Sequence, residues 1–416
     1  MIGWGECSEA QPQRADAVYE SERKGGAMRF IHTSDWHLGR KLHNQELLDY
    51  QREFCEWLLA TAQERQVSAV VVAGDIYDRA LPPVEAVQIL DETVAAFAKT
   101  DVTLILTSGN HDSAVRLSYG GTVMADSGVH LRTDVPGITD PVVLADEHGD
   151  VGFYGIPYLL PDAVRDELEA DRSHEAVLTA AAERVRNDAS QRGLERTVVL
   201  AHAFIKGESA EAEKSESERD ISVGGIADAS AAVFDGFNYV ALGHLHGPQT
   251  VSLAESDTVV AYSGSPLAFS FSERHHVKSV TLVEVNGTGT VTVDRLPVPV
   301  GRGMRQEKGN LEELLAQAAD DPGDTSAWLK VILTDNVRPE SPMERLRGVW
   351  HNTIALDFQP GGDVGGTELA PLGRLERQNP SQVTKDFMEF HTGEEPDQVR
   401  SELIDDVVAA SAQERE

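Results

Sequence analysis

Five short motifs carry side chains suited to first-row divalent cations. They are Asp35-Trp36-His37, Gly74-Asp75, Gly109-Asn110-His111-Asp112, Ala201-His202 and Gly243-His244-Leu245-His246. Imidazole and carboxylate are the ligand types such ions take. Hydrolysis of a phosphate ester needs a nucleophilic hydroxide and neutralisation of charge on the phosphoryl oxygens, and two cations about 3.5–4 Å apart supply both. A pair of ions needs one carboxylate shared between them, and Asp75 is the candidate. Asn110 offers a neutral oxygen beside a glycine that permits a turn. His244 and His246 stand two residues apart, so they share a face in a strand and can diverge to two ions just past its end. Each motif alone has an ordinary explanation as a capping Asp, a turn or a core histidine. Their joint occurrence, each at the end of an expected strand, argues for a metal centre.

The elements that must position them follow from periodicity. Residues 67–73, VSAVVVA, form a continuous apolar run ending in Gly74-Asp75. Such a run suits a parallel strand covered on both faces, and in open α/β sheets reacting groups sit beyond the carboxyl ends of strands. Strands are expected at 28–33, 102–107, 197–201 and 239–242, each leading into one of the other motifs. Residues 47–65 and 83–98 have apolar positions at helical spacing, the second with Val84, Val87, Leu90, Val94 and Phe97. This alternation implies right-handed parallel crossovers. Short strands follow at 129–132, 142–144 and 151–156, then one helical stretch over 162–193. An acidic loop is expected at 207–220 and antiparallel strands at 259–263, 277–285 and 290–296. Composition shifts near 298–303. Beyond it, helices at 311–319 and 343–349 with strands at 328–334 and 353–358 make a small α+β unit. A flexible loop is expected at 361–366. Helices at 384–400 and 401–411 carry Val383, Phe387, Phe390, Val399, Leu403, Ile404, Val407 and Val408 as apolar stripes.

The chain of 416 residues has 69 acidic and 36 basic side chains and a formal charge of −33. That argues against a general electrostatic grip on DNA or an anionic membrane. A nucleic-acid enzyme is still compatible, because bound cations, a local basic groove or a partner can oppose the global field. Two cysteines make no disulfide framework, which fits a reducing, cytoplasmic location. No apolar run approaches transmembrane length. Residues 1–27 lack the apolar core of a signal peptide. They are expected to be a disordered extension upstream of a natural start at Met28. No phosphate-binding G-x-x-x-x-G-K-[ST] loop occurs, so any ATP would be used by another chain.

The order D-x-H, G-D, G-N-H-D, H, G-H-x-H resembles the calcineurin-like metallophosphoesterases. The longer stretches MRFIHTSDWHLGR, GDIYD, SGNHDS, SESERD, ALGHLH and YSGSPLAFSFSE narrow the resemblance to the SbcD-type nucleases, relatives of the Mre-type repair nucleases. It implies an α/β sandwich of two central sheets flanked by helices over residues 28–300. A DNA-capping α+β domain would follow over 301–375, and a helical partner-binding tail over 376–416. It implies one ion on Asp35, His37, Asp75 and His246, and a second on Asp75, Asn110, His202 and His244. The ions would be manganese, with magnesium a poorer substitute. His111 would act on the leaving oxygen, oriented by Asp112. Mre-type members often carry a second histidine after the bridging carboxylate, in the region where this chain has Asp78. Glu218-Arg219 would brace the His202 loop. Arg40, Lys41 and Arg116 are candidates for contact with DNA phosphates, or are solvated surface charges. The family implies ATP-dependent 3′-to-5′ exonuclease action on duplex ends and endonuclease action on hairpins and single strands. These would serve DNA repair, replication and recombination. The implied partners are an SbcC-like coiled-coil ATPase and a second copy of the chain, with no membrane. The alternatives are a small-molecule phosphodiesterase or nucleotidase on the same fold, and a scaffold without metal. All seven ligand positions being intact argues against the last.

Overall fold

The computed structural model describes residues 26–207, 215–218, 228–360, 380–392 and 396–413. The expected extension over 1–27, apart from its last two residues, most of the acidic loop at 207–220 and the flexible loop at 361–366 lie outside the described residues.

Two six-stranded sheets pack face to face. The first has the order Val291–Pro297, Ser279–Val285, Met28–Thr33, Ala69–Ala73, Thr103–Thr107, Val129–Arg132. Its last four strands are parallel and its first two antiparallel. The second has the order Gln249–Val251, Val259–Tyr262, Tyr239–Gly243, Arg196–His202, Gly149–Ile156, Val142–Asp146. Its middle four strands are parallel, with an antiparallel strand at each edge. Between the sheets lies a layer of β-branched and aromatic side chains. Phe30 meets Phe153 and Tyr239 edge to face at 5.3 and 5.6 Å.

The outer faces are covered by helices, because strands buried on both sides need them. Leu48–Glu64 and Val84–Phe97 cover the first sheet through Phe54, Leu58, Ile89 and Phe97. His174–Arg192 covers the second through Val177, Leu178, Ala181 and Val185. The stretch expected as one helix over 162–193 is two, Pro161–Leu168 and His174–Arg192. The first ends at Glu169, which is left-handed, and the second begins at Ser173, whose hydroxyl accepts from Ala176 N. The Asp-Arg-Ser turn between them carries the stop and start signals that periodicity alone passes over.

A three-stranded sheet follows, in the order Met304–Gly309, Trp328–Leu333, Thr353–Phe358, with helices Leu311–Asp320 and Pro342–Val349. The chain divides into two compact units. One runs to Ile332 and includes Ser341–Asp357; the other holds Leu333–Glu340 and the described residues from Phe358 onward. In the second unit the two terminal helices are Pro380–Thr392 and Gln398–Gln413. The expected break at 400 falls earlier because Pro396-Asp397 starts a helix. Asp397 Oδ1 accepts from Arg400 N at 2.9 Å, as an N-cap does.

Candidate metal centre

Three parallel strands of the first sheet and two of the second deliver the motif residues. The loop after Met28–Thr33 runs alongside the loop after Ala69–Ala73. Asp35 N donates to Gly74 O at 3.1 Å, His37 N to Asp75 O at 3.0 Å and Leu38 N to Ile76 O at 2.9 Å. Trp36 anchors this loop inward, its Nε1 on Thr33 Oγ1 at 3.1 Å and its ring against Phe54. Gln51, buried in the following helix, donates to His37 O and accepts from Gly39 N.

The backbone here is strained. Asp35, His37 and Asp75 have φ of 53°, 45° and 51°, and His244 has 107°. Non-glycine residues rarely adopt such values, which cost about 1–3 kcal/mol each and cluster at functional sites. Crowding explains two glycines. A Cβ on Gly74, itself at φ +82°, would lie 2.3 Å from His202 Nδ1, and one on Gly109 would lie 2.1 Å from Asp75 Oδ1.

The side chains converge in two groups that share Asp35, with Asp75 close to an imidazole of each. Asp35, His37 and His246 place ligand atoms within 4.8 Å of one another, and so do Asp35, Asp75 and His202. His37 Nε2 and His246 Nε2 face each other at 3.1 Å, a separation that lets both reach one cation. Asp75 Oδ2 is 3.6 Å from His37 Nε2 and 3.4 Å from His202 Nε2. Asn110 Oδ1 is 3.0 Å from His202 Nε2. His202 Nδ1 is engaged by Ala73 O at 2.9 Å, which turns Nε2 toward Asp75 and Asn110. All of Asp35, His37, Asp75, His202 and His246 are buried. Buried carboxylates and imidazoles in this number, with no Lys or Arg in either group, fit a divalent metal better than a closed hydrogen-bond network.

Their charges are strongly interdependent. Burial, with the Asp75 charge beside it, raises Asp35 to about 8. Burial opposes ionisation of Asp75 too, but the imidazoles of His202 and His37 hold it well below the usual carboxylate range. Burial would lower His202, yet Asp75 and Asp35 raise it to about 9. Burial lowers His246 to about 4, against the pull of Glu273.

A calcineurin-like phosphoesterase family model matches residues 28–248, more than half of the chain. The chain belongs to the calcineurin-like phosphoesterase family. A second model, SbcD_C, described as a type 5 capsule protein repressor C-terminal domain, matches residues 300–392. With both matches the chain is an SbcD-type member of that superfamily. Solved structures similar to this phosphoesterase include TT1561 of Thermus thermophilus, at 11% identity over 65% of this chain and 99% of that one, with a TM-score of 0.38. The calcineurin-like phosphoesterase YfkN of Bacillus subtilis matches at 12% identity over 79% and 98%, TM-score 0.34. A dimetal phosphatase of Danio rerio matches at 10% over 65% and 96%, TM-score 0.39.

The expected site residues of this phosphoesterase divide by placement. Asp35, His37, Asp75, Asn110, His202 and His246 are brought together. His244 donates its backbone N–H to both Asp35 oxygens, at 3.0 and 3.1 Å, and its ring lies 5.6 Å from that of His202. Its ring nitrogens are not among the atoms of either group.

The expected pairing of His111 with Asp112 is corrected. Asp112 accepts three backbone N–H groups, from Ile76 at 3.0 Å, Tyr77 at 2.8 Å and Gly109 at 2.9 Å. It staples two loops, and burial with the Asp75 charge raises it to about 7. The His111 ring is instead held by Asp78 O, 2.7 Å from Nδ1, while its backbone N–H donates to Asp75 Oδ1 at 2.9 Å. Adjacent side chains in a tight turn diverge, so the neighbour in sequence is not the neighbour in space. Glu218 is corrected likewise. Its Oε1 accepts from His246 N at 2.8 Å, so it braces the His246 loop; Arg219 lies outside the described residues.

Of the three basic candidates, Arg40 faces the site. Its guanidinium lies over Phe269 at 5.0 Å, donates to Ser217 O at 2.7 Å and has Asp78 Oδ1 at 3.7 Å. Lys41 pairs with Glu46 and is half exposed, and Arg116 donates to Ala80 O from the surface. Sequence reasoning missed Glu273 and Lys278. Glu273 is 1% exposed and pairs with Lys278, and its Oε1 lies 2.5 Å from Ser217 Oγ and 3.5 Å from His246 Nδ1. Glu273 ends the stretch YSGSPLAFSFSE, the one signal that pointed to it.

Proposed function

We propose that this chain is the nuclease subunit of a DNA-processing complex, a two-metal phosphodiesterase that cuts DNA. The observation that carries the reading is the Asp75 carboxylate between His37 and His202, with His246 and Asn110 completing the two sides. Asp35, His37, Asp75 and His246 would hold one ion, and Asp75, Asn110 and His202 the other, with His244 beside it. Bound there, two divalent ions, manganese foremost, would supply Lewis acidity at the phosphoryl group. The chain's own residues would do the rest. His111, partly exposed and held by Asp78 O, would meet the leaving oxygen. Arg40, whose Nη1 has no partner among the described residues, would take a non-bridging phosphate oxygen.

The match at residues 300–392 to an SbcD C-terminal model supports DNA as the substrate and an SbcC-like coiled-coil ATPase as the partner. In that complex the chain would act as a 3′-to-5′ exonuclease on duplex ends and an endonuclease on hairpins and single strands, as a homodimer. Residues 301–375 would cap DNA, and 376–416 would bind the ATPase. The test is cleavage by the purified chain with manganese of a DNA hairpin and of a small nucleotide diester. Hairpin cleavage at least about tenfold more efficient supports the nuclease. Hydrolysis of the nucleotide ester alone would make it a small-molecule phosphodiesterase.

A further inference from the structure

His32, Thr281 and Arg295 are aligned across three neighbouring strands of the first sheet. His32 lies in the core, its ring nitrogens 2.9 Å from Tyr239 Oη and 3.1 Å from Leu242 O in the opposite sheet. The row therefore runs along the inner face, from the core to the edge strand Val291–Pro297. Ser279, two residues before Thr281, faces the same way.

Three polar atoms on this face have no hydrogen-bond partner among the described residues: Ser279 Oγ, Thr281 Oγ1 and Arg295 Nη1. Ser279 and Thr281 are 3% and 2% exposed. Buried hydroxyls almost always find a partner, and leaving one without costs about 1–3 kcal/mol. Arg295 is half-buried and forms no ion pair among the described residues, in a chain with a surplus of 33 negative charges. A guanidinium so placed ordinarily pairs with an acid.

Ser279 and Arg295 open onto a cleft of about 250 Å³ between the sheet edges. Its other wall is Gly247, Pro248 and Gln249, which lead into the edge strand of the second sheet, and no carboxylate lines it. We propose that this cleft is an oxyanion site that takes a phosphate group. A guanidinium fork takes two oxygens of an oxyanion side by side. A phosphate has a third oxygen left for the Ser279 hydroxyl in the cleft wall, with Thr281 behind it outside the lining. No residue of the metal groups lines the cleft, and the proposal does not depend on the nuclease reading. The phosphate is either free or the terminal group of a nucleotide.

Calorimetric titration of the full chain, with metal removed by chelation, uses inorganic phosphate in one arm and deoxyadenosine 5′-monophosphate in the other. The expected result is saturable binding at one site, weakened about tenfold or more in Arg295→Met and in Ser279→Ala, and less in Arg295→Lys. Tighter binding of the nucleotide identifies a nucleotide phosphate; equal or weaker binding identifies free phosphate. Unchanged manganese-dependent hydrolysis of bis(p-nitrophenyl) phosphate checks that each variant is folded. If Arg295→Met does not fold, Ser279→Ala and Arg295→Lys carry the same test. Absence of saturable binding at millimolar phosphate, or binding equal in the wild type and the folded variants, overturns the proposal.

Discussion

Asp75 Oδ2 is 3.6 Å from one imidazole and 3.4 Å from another, so its carboxylate links the two sides that Asp35 also joins. Asp75→Ala is expected to lose bound metal on both sides and to abolish cleavage, measured by mass spectrometry of metal content and by hydrolysis. His111→Ala should keep the metal and lose rate by about 10²–10⁴-fold, the usual contribution of a positioned acid or base. Loss of metal in His111→Ala would make it a ligand, as its closeness to His37 and Asp78 allows. Asp112 is distinguished from both by what it touches. Asp112→Ala strands three backbone N–H groups that the carboxylate now accepts. Each stranded buried donor costs about 1–3 kcal/mol. A clear fall in melting temperature is expected for Asp112→Ala and none for His111→Ala. Equal melting temperatures would remove the stapling role.

At the scale of elements, strand ends are held by pairs far from the site. Asp146 closes the edge strand Val142–Asp146 and makes a two-pronged pair with Arg196, 2.7 Å on each side, at the start of the strand that delivers His202. Both side chains are buried, at 7% and 5% exposure. Burial works against the Asp146 charge, but the Arg196 guanidinium holds the carboxyl below its usual range. A depressed carboxylate stabilises the fold above its unfolded value of about 3.9 and loses that contribution as pH falls through the lower folded value. Arg196→Met leaves the charge unpaired and should cost about 3–5 kcal/mol at pH 7. The stability gap to the wild type should narrow as pH drops below about 4, followed by chemical denaturation at each pH. A gap that does not change with pH would assign the loss to packing alone. The helices were legible where periodicity was continuous, as at Leu48–Glu64 and Val84–Phe97. They were not where capping residues interrupt it, as at Ser173 and Asp397, because caps act through single hydrogen bonds that leave no period.

At the scale of the whole molecule, the last helix leaves Val399, Leu403 and Val407 exposed by 75%, 62% and 59%, while Ile404 is buried. Positions four apart lie on one face, so these three form an apolar stripe open to solvent. Lys385 and Asp405 pair at 2.8 Å and join the two terminal helices. A stripe of this kind suits a groove on another chain. Deleting residues 380–416 is therefore expected to leave manganese-dependent cleavage of single strands intact and to abolish capture of the coiled-coil ATPase subunit. Undiminished capture by the truncated chain would move the partner site elsewhere. Among the described residues no helix is long and apolar enough to cross a membrane.

What the sequence determined by itself was chemical type and local frame. Asp, Asn and His at the ends of β-branched runs pointed to candidate metal ligands, and alternating periods announced a parallel α/β core. These are properties of neighbours along the chain, so they can be read there. The tertiary structure alone decided who meets whom. His37 and His246 are 209 residues apart and face each other at 3.1 Å because two sheets pack with their strand ends together. His111 is held by a carbonyl 33 residues away and not by the adjacent Asp112. Glu273 and Lys278 have no periodic signature, yet their buried pair supports His246. Distances across a sandwich are set by sheet register and packing, and those are sums over the whole core that no short window of residues contains.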